Sequence, residues 1–66
     1  MSAVHTIVNA EAIAETDKAV LVEAPELDEA IWVPKSVIDD DSEVYERGTE
    51  GDLIVAEWWA TKQGLT

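Results

Sequence analysis

The chain has 66 residues, of which 47% are hydrophobic, and its 15 acidic and 4 basic side chains give a formal net charge of −11. That length allows one small domain, which buries only about 60% of the surface that its unfolded chain exposes. Cysteine is absent, which excludes disulfides and thiolate metal sites and favours a reducing compartment. The acidity disfavours direct binding to nucleic acid or to an anionic membrane and favours basic partners.

The N-terminal sequence and the hydropathy predict a cytoplasmic protein. Residues 1–12 lack the basic and apolar regions of a signal peptide, and no apolar run approaches the ~20 residues that span a bilayer. We expect a monomeric single domain over residues 1–66, in which residues 1–8 are mobile.

The segment from Asn9 to Ala19, NAEAIAETDKA, is rich in helix formers and begins with a residue that can serve as an N-cap. Its only large apolar side chain is Ile13, and the preceding HTIV is typical of extended chain. The segment therefore predicts either a short N-terminal helix or a strand.

Two β-branched runs follow, Ala19–Ala24 and Ala30–Pro34, and a turn containing Pro25 separates them. Runs of this length and spacing predict an antiparallel hairpin. Because proline cannot donate to a strand ladder, Pro34 indicates the end of a strand or an edge position.

The remaining pattern predicts two more strands and a helix. EVYE (residues 43–46) is a possible third strand, and DLIV (residues 52–55) is a better one. AEWWATKQGL (residues 56–65) predicts a helix in which Gly64 takes the C′ position and Leu65 makes the accompanying apolar contact. The whole chain thus predicts an α+β domain, in which a small antiparallel sheet of three to four strands packs against a C-terminal helix.

Catalytic and metal sites receive little support from the sequence. The only histidine is His5, which we expect to be a polar residue near the terminus, and no acid–base partner is visible. Asp39, Asp41, Glu43 and Glu50 fall at ligand positions 1, 3, 5 and 12 of a calcium-binding EF-hand loop, but Val44 occupies the position that must be glycine. We therefore expect no catalytic residues, no metal site and no cofactor.

The three tryptophans are candidate contacts for a protein partner. Trp58 and Trp59 are adjacent, so on a helix they point about 100° apart, and only one of them can anchor the helix on the sheet. Trp32 alternates with Ile31 and Val33 and faces the opposite side of its strand. Ordinary packing of all three is the main alternative to an exposed apolar anchor at Trp32 or Trp59.

The acidic side chains are the strongest functional signal. Seven of the fifteen lie in VIDDDSEVYERGTEGD (residues 37–52), others are spread along the chain, and the four basic residues cannot neutralise them internally. Carboxylates two apart on a strand lie ~6.6 Å apart, so a folded acidic domain can present rows of charge at spacings comparable to those of nucleic acid. The alternative is an acidic surface that serves only solubility. The candidate contact residues are Asp39, Asp40, Asp41, Glu43 and Glu46, with Glu11, Glu15, Glu26, Asp28 and Glu29 in support.

Three stretches, ETDKAVLVEA, IWVPKSVI and GDLIVAEWWATKQGL, resemble a group of small phage and mobile-element proteins over about Glu15 to Leu65. The shared positions are structural. In size and acidity the chain also resembles the small anti-CRISPR proteins, in particular an acidic type I-C inhibitor that is thought to act as a DNA mimic. The resemblance implies an inhibitor without catalytic residues that binds the basic DNA channel of the crRNA-guided Cascade complex and blocks target DNA. There are two alternatives. One is a DNA mimic that binds another host DNA-binding protein, and the other is a phage interaction module anchored by an exposed tryptophan.

Overall fold

The computed structural model describes residues 3–65, which form a four-stranded antiparallel sheet and one α-helix. The strand order across the sheet is β3-β2-β1-β4, and a single turn of 3-10 helix (Lys35–Val37) follows β3. This architecture confirms the predicted α+β fold with its C-terminal helix. The elements in chain order are β1 (Val4–Glu15), β2 (Ala19–Glu23), β3 (Ile31–Pro34), β4 (Glu50–Ala56) and α1 (Glu57–Lys62).

For the segment from Asn9 to Ala19 the sequence allows a helix or a strand, and the strand is confirmed, because residues 9–15 belong to the long central strand β1. The first part of β1 pairs with β4 and the last part pairs with β2. This pairing outweighs the helix preference of alanine and glutamate, because tertiary contacts readily override a preference of less than about 1 kcal/mol per residue. Ala10 and Ala12 are fully buried in the strand. Residues 4–8, which the sequence predicts to be mobile, form the beginning of this strand, and residues 4–7 pair with β4. Met1 and Ser2 lie outside the described residues.

Two irregularities bend β1. The register with β4 shifts between Ile7 and Ala10, where Asn9 adopts a positive φ of 57°, and the register with β2 shifts between Ala12 and Ala14. Asparagine tolerates this left-handed conformation better than most residues. Bulges of this kind increase the local twist. Val8 and Ile13 are apolar but exposed, because each follows a buried residue and points to the opposite face of the sheet.

The hydrophobic core covers one face of the sheet. Alternation along β2, β3 and β4 turns one side chain in two toward this face, and α1 closes it through a buried tryptophan. The largest side chains in the core with no solvent exposure are Ile7, Val20, Val22, Val33, Val44, Leu53 and Val55.

The end of α1 has the geometry that the sequence predicts. The Gly64 N–H donates to the Thr61 carbonyl (3.1 Å) and the Leu65 N–H donates to the Ala60 carbonyl (2.9 Å), with Gly64 at a φ of 79°. These two bonds define a Schellman cap, and Leu65 packs against the core as such caps favour. Within residues 3–65, no helix has the length and apolar character needed to cross a membrane.

Candidate protein-binding surface

The acidic connection, defined here as residues 35–49 between β3 and β4, runs along the outer edge of β4. Ile38 forms an isolated bridge with Val55, and the Asp39 N–H donates to the Ile54 carbonyl at 2.8 Å. The Glu43 N–H donates to the Asp52 carbonyl at 2.9 Å. An edge strand covered in this way offers fewer free backbone groups to other chains.

Residues 43–46 do not form the strand that the sequence suggests. The Ser42 hydroxyl links this segment to β4, because it accepts from the Ile54 N–H of β4 (3.0 Å) and from the Val44 N–H (3.2 Å). The same hydroxyl lies 2.8 Å from the Val44 carbonyl, to which it can donate. Ser42 is buried and Val44 is fully buried, so this segment is pinned to the core while its acids face solvent.

Some carboxylates of the acidic connection also make internal hydrogen bonds. Asp39 Oδ1 accepts from the Asp41 N–H at 3.0 Å, and Glu43 Oε1 accepts from the Asp52 N–H at 2.9 Å. Asp40 and Glu46 are exposed, like Asp41 and Glu43, whereas Asp39 is half-buried. All five predicted residues are therefore held on an ordered backbone that leaves their charge at or near the surface.

Glu15, one of the predicted contact residues, makes interactions within the fold. Its carboxylate forms an ion pair with Lys35 and accepts a hydrogen bond from the Arg47 N–H at 3.2 Å. The Lys35 ammonium, together with the Arg47 N–H, holds the pKa of Glu15 below its ordinary value. A depressed folded-state pKa stabilises the fold above the unfolded pKa, and this contribution disappears as the pH falls through the folded pKa.

Lys35→Gln should therefore lower the urea midpoint at neutral pH, with a deficit that shrinks as the pH falls through the depressed pKa of Glu15. Lys18→Gln is the matched control, because it removes the same charge from an exposed turn residue that makes no ion pair within residues 3–65. Urea unfolding of both variants across acidic pH checks this. Parallel deficits for the two variants at every pH would contradict a role for the Lys35–Glu15 pair.

The turn between β2 and β3 carries a second group of predicted acids, Glu26, Asp28 and Glu29, all exposed. His5 Nε2 lies 3.5 Å from Glu26 Oε2. This nitrogen is buried and has no hydrogen-bond partner within the described residues. The prediction that His5 is a polar residue near a mobile terminus is wrong, because His5 belongs to β1 and pairs with Val55 of β4.

A third group of acids crosses the outer face of the sheet, which is the face opposite the core. Glu11 on β1 lies directly opposite Glu23 on β2 and directly opposite Glu50 on β4. All three side chains are exposed. We call these three residues the glutamate row, in which neighbouring Cβ atoms lie ~4.5–5.5 Å apart and like charges oppose each other.

The sequence identified Glu11 but missed Glu23 and Glu50 as members of a row. Their alignment depends on strand register, which is set by contacts between distant parts of the chain. Alternation of side chains along the strand could have placed Glu23: in VLVE, the buried Val20 and Val22 face the core, so Glu23 faces the opposite side of the sheet.

The exposure of the tryptophans matches the prediction at Trp32 and differs from it at Trp59. Trp32 lies on the outer face and is 49% exposed, as expected from the burial of Val33. Trp59 is only 6% exposed and anchors α1 in the core, so its proposed role as an exposed anchor is wrong. The exposed residue of the pair is Trp58, at 62%. The docking of α1 on β1 and β4 selects which of two adjacent side chains faces inward.

No cluster of three or more histidine or acidic side chains within residues 3–65 is arranged to hold a metal ion. Of the four residues at EF-hand ligand positions, Glu50 belongs to β4 and pairs with Glu11, while Asp39 and Glu43 bond to backbone N–H groups. An open depression of about 370 Å³ lies beside the acidic connection, lined by Lys35, Ile38, Asp39, Asp40, Ser42 and Tyr45.

Comparison of the chain with models of protein families, with curated proteins and with solved structures finds no match.

Proposed function

We propose that this protein is an acidic DNA mimic, which binds the basic DNA channel of a crRNA-guided Cascade complex as an anti-CRISPR inhibitor and keeps target DNA out. The observation that carries the proposal is that the fold leaves its acidic excess unneutralised. Of the four lysine and arginine side chains, Lys35 alone pairs with a carboxylate within residues 3–65. A net charge of −11 therefore faces outward, available to a basic surface.

The density of that charge supports the same proposal. The longest dimension of the molecule is 29 Å, over which duplex DNA carries about 17 phosphate charges. The net charge of −11 gives this small domain a density of the same order. A channel shaped and charged for DNA would therefore attract it by the same electrostatics.

The order of the acidic connection adds to this argument. Backbone bonds to β4, the Ser42 hydroxyl and the buried Val44 order the backbone that carries its carboxylates before any partner binds. A preorganised surface loses less conformational entropy on binding than a disordered acidic tail does. A loop that served solubility alone would not need these fixed positions.

Competition for target DNA tests the proposal. The protein should raise the apparent Kd of purified type I-C Cascade for its labelled target duplex in proportion to the protein concentration, because both ligands occupy one basic channel. A variant that neutralises six exposed acids should displace DNA at least about a hundredfold less well, and it should fold at least as stably because self-repulsion falls. The six changes are Asp40→Asn, Asp41→Asn, Glu46→Gln, Glu11→Gln, Glu23→Gln and Glu50→Gln.

A second candidate, a phage interaction module with an aromatic anchor, is favoured by the exposure of Trp32 and Trp58. The same assay separates the two. Under the mimicry proposal, the Trp58→Ala variant displaces DNA like the unmodified protein. An aromatic anchor predicts the reverse pattern, in which the charge-neutralised variant stays active and Trp32→Ala combined with Trp58→Ala abolishes binding.

A further inference from the structure

The outer face of the sheet places an apolar row directly beside the glutamate row. Trp32 on β3 lies opposite Leu21 on β2, and Leu21 lies opposite Ala14 on β1. Leu21 and Glu23 are two residues apart on β2, so they share a face, and the two rows run side by side ~7 Å apart. The Trp32 side chain is half exposed and Glu23 is exposed.

This face carries negative charge without a matching cation. No lysine or arginine within residues 3–65 pairs with Glu11, Glu23 or Glu50. Directly opposed like charges destabilise a sheet, and the nearby aromatic ring adds exposed apolar surface to the same face. A ligand that neutralised the carboxylates and covered the indole would remove both costs at once.

We propose that this face binds an arginine-bearing segment of the protein partner, with a guanidinium stacked on Trp32 and hydrogen-bonded to Glu23 and Glu11. Trp32 is diagonal to Glu23 across the β2–β3 pair, a spacing of about 7–8 Å between backbones that long side chains can bridge. The planar guanidinium can stack on an indole while its N–H groups bind carboxylates. A lysine ammonium is a point charge and lacks this combination.

The inference rests on the proposed function and specifies which surface a basic partner contacts. It places the primary contact on the sheet face rather than on the acidic connection, although the latter is denser in charge along the sequence. Glu11 is the middle carboxylate of the row, which makes it the central contact.

Titration of the ¹⁵N-labelled protein with hexa-arginine and with hexa-lysine at low salt tests this. We expect the largest NMR shift changes at the Trp32 indole N–H and at the amides of Leu21, Glu23 and Glu11. Hexa-arginine should bind about fivefold more tightly than hexa-lysine. Trp32→Leu should remove that preference, whereas Trp58→Leu, a change at another exposed tryptophan, should retain it.

The inference would be overturned by shifts centred on residues 39–46, by shifts spread evenly over all acids, or by no binding. A preference for hexa-arginine that survives Trp32→Leu would overturn it as well. Its failure is distinguishable from failure of the proposed function, because the Cascade competition contains no peptide and does not depend on which face binds. Peptide shifts on the acidic connection combined with effective DNA displacement would leave DNA mimicry in place and reject only the arginine site.

Discussion

Trp59→Ala should destabilise the protein by about 3–5 kcal/mol, the usual cost of truncating a buried aromatic side chain. Trp59 is 6% exposed and provides the main apolar contact of a six-residue helix that could not persist alone. A domain of this length has a total stability of only ~3–10 kcal/mol, so much of the variant should be unfolded without denaturant. Urea unfolding followed by far-ultraviolet circular dichroism measures this, with Trp59→Phe as a milder variant that retains a measurable transition.

The adjacent tryptophan is the matched control for this prediction. Trp58 is 62% exposed, so Trp58→Ala should change the free energy of unfolding by less than about 1 kcal/mol. Equal losses for the two alanine variants would contradict the orientation of α1. That orientation also decides which tryptophan a partner can reach.

Ser42→Ala should cost about 2–3 kcal/mol, although it removes a single oxygen atom. The Ser42 hydroxyl accepts from the N–H groups of Ile54 and Val44, and alanine would leave both without that acceptor, the first in a partly buried and the second in a buried environment. Buried donors without partners incur the full cost of desolvation. The acidic connection should then separate from β4, which amide hydrogen exchange at Ile54 and Val44 would report.

Ser36→Ala is the control, because Ser36 lies exposed in the 3-10 turn at the start of the same connection. Its free energy of unfolding should stay within about 0.5 kcal/mol of that of the unmodified protein. The prediction fails if Ser42→Ala is as stable as Ser36→Ala and amide hydrogen exchange at Ile54 is unchanged. The Ser42 hydroxyl would then not hold the acidic connection to β4.

The parts of the fold that local signals encode could be predicted from the sequence. Alternating β-branched residues predicted β2 and β3 to within one residue at each end, and Pro34 ends the edge strand β3. Gly64 and Leu65 predicted the cap of α1, because a left-handed C′ residue strongly favours glycine. Each of these features depends on residues close together in the chain.

The features that were missed depend on distant contacts. Residues 9–15 of β1 have the composition of a helix, so the sequence left helix and strand open. The pairing with β4 and β2 selects the strand, and no local propensity reports that pairing. The helix rotation could have been predicted in part, since Trp58 shares a face with the polar Thr61 and Lys62 at spacings of three and four residues. Strand register brings Glu23 and Glu50 beside Glu11, and register follows from the assembled sheet.

The competition with target DNA, repeated at increasing salt, tests DNA mimicry most directly. Between about 50 and 200 mM salt, the affinity of the protein for Cascade should fall at least about tenfold, because exposed carboxylates meeting a basic channel are screened and release counterions. At every salt concentration, excess target duplex should displace the protein completely. An affinity for Cascade that stays constant over this range, or a complex that holds the protein and target DNA at the same time, would contradict the account.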